Sequence, residues 1–329
     1  MIVYNKENEP QQLGSLLAKG GEGEIYPLIS DPNIVVKCYF PEKLKKDGDF
    51  LFKKIKMMSE LYQTTFKPHK KKISWVAIPV YNKQKQWIGY AMPKMQGYTL
   101  RTLAHALLYK KHAPNLNRLH ITKLMLSWLN TIEMLHSKNV MIGDYNLQNF
   151  LWNPDTLTVG FIDCDSYQIK TENKFFPCLV GSPDLTAPEH HGKDFRQIVR
   201  TPESEYFSIA IILFMCFMLG RHPYDIIGGS DPVQNMKNGQ FPYGVGNNGG
   251  KRIPKGDWYN IWSHMSFDMK SLFIKTFTQG VKDPKQRATI VEWKRVLKKY
   301  IYETGKGYHN IDIRPAEPKN SSNKAKPST

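Results

Sequence analysis

The sequence predicts an α+β fold in two unequal regions: a small antiparallel β-sheet with one helix, then a larger, mainly helical region. Three observations carry this expectation. Short β-branched or aromatic runs crowd the first hundred residues, separated by glycines and turn residues. One long polar stretch with helical character interrupts them. Beyond them, apolar residues recur at the spacing of a helix face. A length of 329 residues suits two domains or a single large bilobal domain, at roughly 150 residues per domain.

Taken in order, residues 1–12 are polar, carry no signal peptide and read as an N-terminal extension. Strands are expected at Ser15–Leu17, Ile25–Ile29, Ile34–Tyr39, Trp75–Tyr81 and Trp87–Met92, with a helix over Glu42–Tyr62. These elements define a first region over residues 13–95. A second region over 96–302 opens on a helix at Leu119–Leu135, where Ile121, Leu124, Met125, Trp128, Leu129, Ile132 and Leu135 share one face. A loop-rich stretch, Val140–Glu189, holds two brief strand-like runs, Phe150–Trp152 and Val159–Ile162. An apolar helix follows at Glu205–Leu219, then a glycine-rich surface insertion at Gly228–Gly256, then helices at Met269–Phe277 and Thr289–Tyr300. From Glu303 to Thr329 the chain is polar and basic and reads as a flexible tail.

Composition narrows the function classes. Lys and Arg number 46 against 29 Asp and Glu, a net charge of +17, and the isoelectric point is near 9.5. Such an excess favours an acidic partner: nucleotide phosphates, nucleic acid, an acidic protein or an anionic membrane surface. Residues 37–72 hold eleven lysines against four acids. No base-stacking motif or recognition helix accompanies them, so a solvated basic face is preferred over a nucleic-acid site. The four cysteines form no CxxC pair and read as reduced thiols of a cytoplasmic protein. The longest apolar run, Ile209–Leu219, is too short to span a bilayer and reads as a core helix.

Four motifs carry chemistry. Lys19-Gly20-Gly21-Glu22-Gly23-Glu24-Ile25 lies between two strand-like runs. Glycines at 20, 21 and 23 would let backbone N–H groups approach phosphate oxygens, and the same pattern also suits a plain tight turn. Lys37 sits in the apolar run Ile34–Cys38, where an ammonium is costly unless it reaches water or an anion; an exposed strand face is the alternative. Gly143-Asp144-Tyr145-Asn146-Leu147-Gln148-Asn149 and Asp163-Cys164-Asp165 offer hard oxygen ligands and a base where short strands end. Each motif alone could be a capped turn. Their order argues against that reading.

In that order the motifs resemble the protein kinase superfamily, over roughly Leu13 to Tyr302, and in particular its divergent, mainly bacterial serine/threonine branch with a Gly-Asp-x-Asn loop. Ala18–Ile25 resembles the phosphate-covering loop, and Val35-Val36-Lys37 the strand lysine. Asp144 and Asn149 match the catalytic base and a metal ligand, and Asp163 the metal-binding aspartate. Gly181–Glu189 ends in an intact Ala-Pro-Glu. Arg287, in Asp283–Arg287, is similar to the late arginine that pairs with that glutamate. Gly220–Tyr224 fits the position after the long apolar helix, and Trp75–Val80 and Phe241–Gly244 look like the bacterial branch.

The resemblance implies a bilobal kinase-like fold and ATP-dependent phosphoryl transfer to Ser or Thr hydroxyls of protein. Lys37 and Asp144 become catalytic residues, with Asn146 beside them where a lysine is expected. Gly20, Gly21, Gly23, Ile25, Lys37, Met92, Pro93 and Met95 become nucleotide contacts. Asn149, Asp163 and Asp165 become magnesium ligands, Asp165 as an extra carboxylate that could favour manganese. His136 would brace the catalytic loop. The partners implied are a protein substrate, acidic in character, and a partner phosphatase. The departures are Gly143 in place of an arginine, Asn146, Asp165, and a helix glutamate replaced in the best register by Lys54, with Glu60 as a later candidate. They leave two other readings open, a nucleotide-binding pseudokinase and a small-molecule kinase.

Overall fold

A computed structural model describes residues 1–245 and 252–319, which divide into two units. The smaller comprises residues 1–97 with 160–165, the larger residues 98–159 and the chain from 166 onward.

In the smaller unit, β1 (Ile2–Tyr4), β2 (Pro10–Gln12), β3 (Ala18–Lys19), β4 (Gly23–Pro27), β5 (Ile34–Tyr39), β6 (Ile78–Tyr81) and β7 (Trp87–Pro93) form one antiparallel sheet, ordered β2-β1-β6-β7-β5-β4-β3. Val35 to Tyr39 are all buried, so β5 is an interior strand of β-branched and aromatic residues. Its register sets Lys37 opposite Ile25 of β4 and Tyr90 of β7.

Helix α1 (Pro41–Leu61) follows, with proline in its first turn, where a missing N–H costs nothing. Leu51, Ile55 and Met58 form its buried stripe at helical spacing, and Lys54 lies among them. The end of α1 is fixed by Trp75 Nε1, which donates to the Met58 carbonyl at 2.9 Å, and by Ser59 Oγ, which donates to the Ala77 carbonyl at 2.6 Å.

Two expectations change here. Residues 1–12, read as an extension, supply two strands of the sheet, and Tyr4 pairs with Tyr81. Their signal is faint because each strand is three residues long. The strand expected at Ser15–Leu17 forms instead at β3, on the sheet edge, where Leu16 and Leu17 stay exposed.

The larger unit contains β8 (Tyr98–Thr99), α2 (Leu100–Leu103), α3 (Tyr109–His112), α4 (Arg118–His136), β9 (Val140–Met141) and β10 (Phe150–Asn153). The chain then passes through β11 (Thr158–Phe161) to β12 (Gln168–Lys170) and β13 (Phe175–Phe176). It ends in α5 (Pro202–Phe217), α6 (Pro232–Lys237), α7 (Trp258–Ser263), α8 (Phe267–Phe277), α9 (Gln279–Lys282) and α10 (Ile290–Gly305). Helix α4 starts from a capping box made by Asn117 and His120 and buries the face read from its periodicity. Helix α5 is apolar on every side because it is central: Ile209 to Phe214 are all buried, and Phe214 meets Phe273 and Phe277 edge to face.

Arg287, 1% exposed, locks this unit. Its two terminal nitrogens each reach a Glu189 oxygen at 2.7 Å, and it also donates to the carbonyls of Gly280 and Glu203.

The tail expected from Glu303 differs as well. Helix α10 continues to Gly305, and the following segment packs back on the unit as far as the described residues go. Arg118 donates to the carbonyls of Ile311 and Asp312, Asn260 to that of Ala316, and Ile313 is buried. Residues 320–329 lie outside the described residues, as do 246–251 of the glycine-rich insertion, which otherwise contains α6.

Removing one partner of a buried, bidentate ion pair leaves the other uncompensated. Arg287→Ala is therefore expected to lower the unfolding free energy by about 3–5 kcal/mol in urea titrations. A loss below about 1 kcal/mol would mean that the pair is not a brace.

Candidate active site

One group of the expected site residues is built on the smaller unit. Phe161 is tied to it by a parallel bridge to Ile73, with its N–H on the Lys72 carbonyl and its carbonyl accepting from Ser74 N–H. Two residues later Asp163 adopts a left-handed conformation, φ 57°. This is uncommon for a non-glycine residue and is found preferentially at functional sites.

The turn presents two carboxylates to Lys37. The ammonium lies 2.8 Å from Asp163 Oδ1 and 3.1 and 2.8 Å from the two oxygens of Asp165. An ammonium has three donors, so these contacts match its capacity. Tyr39 Oη donates to Asp165 Oδ2 at 2.5 Å.

Burial disfavours the Lys37 charge, but Asp165 and Asp163 more than reverse that and hold the ammonium well above the ordinary lysine range. Burial likewise opposes the Asp165 carboxylate, yet Lys37, Tyr39 and Lys54 together hold its pKa far below the usual range. The phenols of Tyr39 and Tyr90 are pushed well up, first by burial and then by Asp165.

Asp165, expected as an extra metal ligand, is thus 3% exposed with both oxygens engaged by protein. The choice between Lys54 and Glu60 is also answered. Glu60 is exposed, whereas Lys54 is 2% exposed and its charge acts on Asp165.

The glycine-rich loop closes between β3 and β4, with Gly20 N–H on the Gly23 carbonyl at 2.9 Å. Gly23 is required by packing, because a Cβ there would sit 2.3 Å from the Cys38 carbonyl oxygen. Gly20 and Gly21 have no such neighbour, so the fold itself does not demand glycine at either position. Ile25 lies half-buried on β4. Met92 and Pro93 are buried at the end of β7, the Pro93 carbonyl accepting from Ser74 Oγ at 2.5 Å. Met95 rests against Gly160.

A second group lies in the larger unit, in the loop after β9, and Glu205 of α5 organises it. One Glu205 oxygen accepts from Gly143 N–H at 2.6 Å; the other meets His136 Nε2 at 2.7 Å and accepts from Tyr145 Oη at 2.8 Å. His136 does brace the loop, through this carboxylate. Gly143, φ +73°, cannot be an arginine here: a Cβ would lie 2.7 Å from Cys178 Sγ and 2.8 Å from Arg200 Nε. Arg200 comes from the segment before α5 and is 4% exposed.

Asn149 Nδ2 faces the Asp144 carbonyl at 3.3 Å and its carboxylate at 3.4 Å, so carboxylate and amide are set against each other. Asn146 shapes the turn, its side-chain oxygen accepting from Gln148 N–H at 2.9 Å. Asn149, in the larger unit, offers an amide oxygen, and Asp163, in the smaller, a carboxylate; each is a donor type that suits magnesium in company with phosphate. Glu205 and Arg200 were missed by sequence reasoning. A lone glutamate at the start of an apolar helix is a usable signal for the first, since a buried carboxylate needs donors.

A sheet-borne lysine paired with an aspartate 126 residues away, and an Asp–Asn loop hung from a helix carboxylate, define a phosphoryl-transfer class of protein. The chain belongs to the protein kinase domain family, which matches residues 12–300. It is similar to the protein kinase YegI of Escherichia coli strain K12, 26% identical over 290 residues, and to that of strain O157:H7, 25% identical over 290. Those alignments cover 84% of this chain and 43% of the relatives, so the chain spans less than half their length. Among the described residues no helix is long and apolar enough to cross a membrane.

A left-handed residue other than glycine costs about 1–2 kcal/mol before any clash. Gly143→Arg, which would install the missing arginine, is therefore expected to destabilise by more than that in urea unfolding. An unchanged midpoint would show that the site tolerates an arginine.

Proposed function

We propose that the chain transfers the γ-phosphate of ATP to serine or threonine hydroxyls of a protein, itself among the acceptors. The observation that carries this reading is the 2.8 Å pairing of Lys37 with Asp163, which joins the expected phosphate anchor to the expected metal ligand. In this reading Lys37 holds the non-transferred phosphates as a point charge. Backbone N–H groups at Gly21 and Gly23 cover them, that of Gly20 being spent on the Gly23 carbonyl, and Ile25, Met92, Pro93 and Met95 line the adenine. Asn149 and Asp163 hold magnesium, with manganese as a substitute. When bound, the ion supplies neutralising charge to the phosphates. Asp144 orients the acceptor hydroxyl and takes its proton, and Asn149 steadies its carboxylate.

Asn146, in place of a lysine, withholds one cation from the transferring group. Loss of one such contact typically costs two to three decades, so turnover should be slow. The serine/threonine assignment rests on the resemblance of the catalytic loop and of Gly181–Glu189 to that branch. An acidic substrate is favoured by the exposed lysines of α1 and the following turn, Lys45, Lys46, Lys53, Lys56, Lys70, Lys71 and Lys72. Four buried cysteines, all free, suit a reducing cytoplasm.

The test is transfer of labelled γ-phosphate to the protein and to an acidic protein substrate, followed by phosphoamino-acid analysis. Asp144→Ala is expected to lower the rate by about 10²–10⁴-fold. Label on tyrosine alone would overturn the acceptor class. No transfer, with ATP still raising the melting temperature, would turn the reading to a nucleotide-binding module.

A further inference from the structure

We propose that Asp165 is the residue that positions Lys37 in this chain, and that Lys54 of α1 is the counter-charge that makes this second buried carboxylate tolerable. The inference rests on the phosphoryl-transfer reading above and deepens it. It assigns Asp165 a positioning role in place of metal binding.

The geometry supports this from three directions. Residues two apart on a strand share a face, so Lys37 and Tyr39 of β5 grip Asp165 together, through three contacts of 3.1, 2.8 and 2.5 Å. On α1, the side chain that shares the buried stripe with Leu51, Ile55 and Met58 is a lysine, and the nearest glutamate along the helix, Glu60, faces solvent. Two ammoniums and two carboxylates then balance in the cluster: Lys37 and Lys54 against Asp163 and Asp165. The Asp163 side chain is 44% exposed, so solvent shares its charge, and the carboxylate that burial bears on is Asp165, 3% exposed. Lys54 is 2% exposed on the buried stripe of α1, and its positive charge favours the Asp165 carboxylate.

One consequence is local control. Lys37 is held by a residue two positions from Asp163 rather than by a helix carboxylate, so anchor and metal ligand are set by the same turn. A Lys37 released by Asp163 would still be held through both oxygens of Asp165.

The test relocates the charges. At saturating ATP, Asp165→Asn and Lys54→Glu are each expected to lose at least 100-fold in phosphoryl transfer. The double variant, with its carboxylate now on the helix, should return to within tenfold of wild type. A filled apolar pair, Asp165→Leu with Lys54→Met, separates scaffolding from positioning: it should regain the wild-type melting temperature without regaining transfer. Wild-type transfer by Asp165→Asn, a double variant no better than the worse single, or recovery of transfer by the apolar pair would each overturn the proposal. If wild type itself transfers nothing, the kinase reading fails separately. The positioning role is then read from a fluorescent ATP analogue without divalent metal. At least tenfold weaker binding by Asp165→Asn, restored in the double variant, supports it; equal affinity overturns it.

Discussion

A buried ammonium on an interior strand is the constraint from which the smaller unit is built. Lys37 cannot sit charged on β5 without anions beside it. The turn at Asp163–Asp165 with its left-handed Asp163 answers that requirement, and the tyrosine two residues along β5 helps to hold Asp165 in place. The sheet supplies rigidity; the charges decide which side chains it must carry.

In the larger unit a carboxylate has the corresponding role. Glu205 is 2% exposed and accepts from a histidine, a main-chain amide and a phenol, so that α4, the loop after β9 and α5 are joined at one group. Hydrogen bonds to an ionised acceptor are about twice as strong as neutral ones, which suits a loop that must present Asp144 with little freedom. Arg287 repeats the pattern farther along the chain with the charges reversed. The larger unit thus places two charged side chains, well provided with partners, where irregular backbone meets regular structure.

Much of this was legible in the residues. Periodicity gave the face of α4 because apolar residues at helical spacing have few other uses. The motifs at Lys37, Asp144, Asn149 and Asp163 announced themselves as polar groups in apolar or turn settings. What was not legible depends on long-range geometry. No local pattern says that Asp165 turns toward Lys37 from 128 residues away. The absence of an arginine before Asp144 read as a simple loss, whereas Cys178 and Arg200 occupy the space a side chain at Gly143 would need. The strands in residues 1–12 and the segment after Gly305 escaped because a few apolar residues in polar surroundings carry no period.

That last segment has a further bearing on the molecule. Arg118 opens α4 with a buried guanidinium that donates to two main-chain carbonyls, those of Asp312 and Ile261. Burial pulls its charge down more than its neighbours support it. Peeling residues 311–316 away would open the first turn of α4 and leave a half-solvated cation in a pocket shaped for a covered one. The segment and the helix entry therefore melt as one cooperative patch, and the last described stretch of chain works as a clasp on the core.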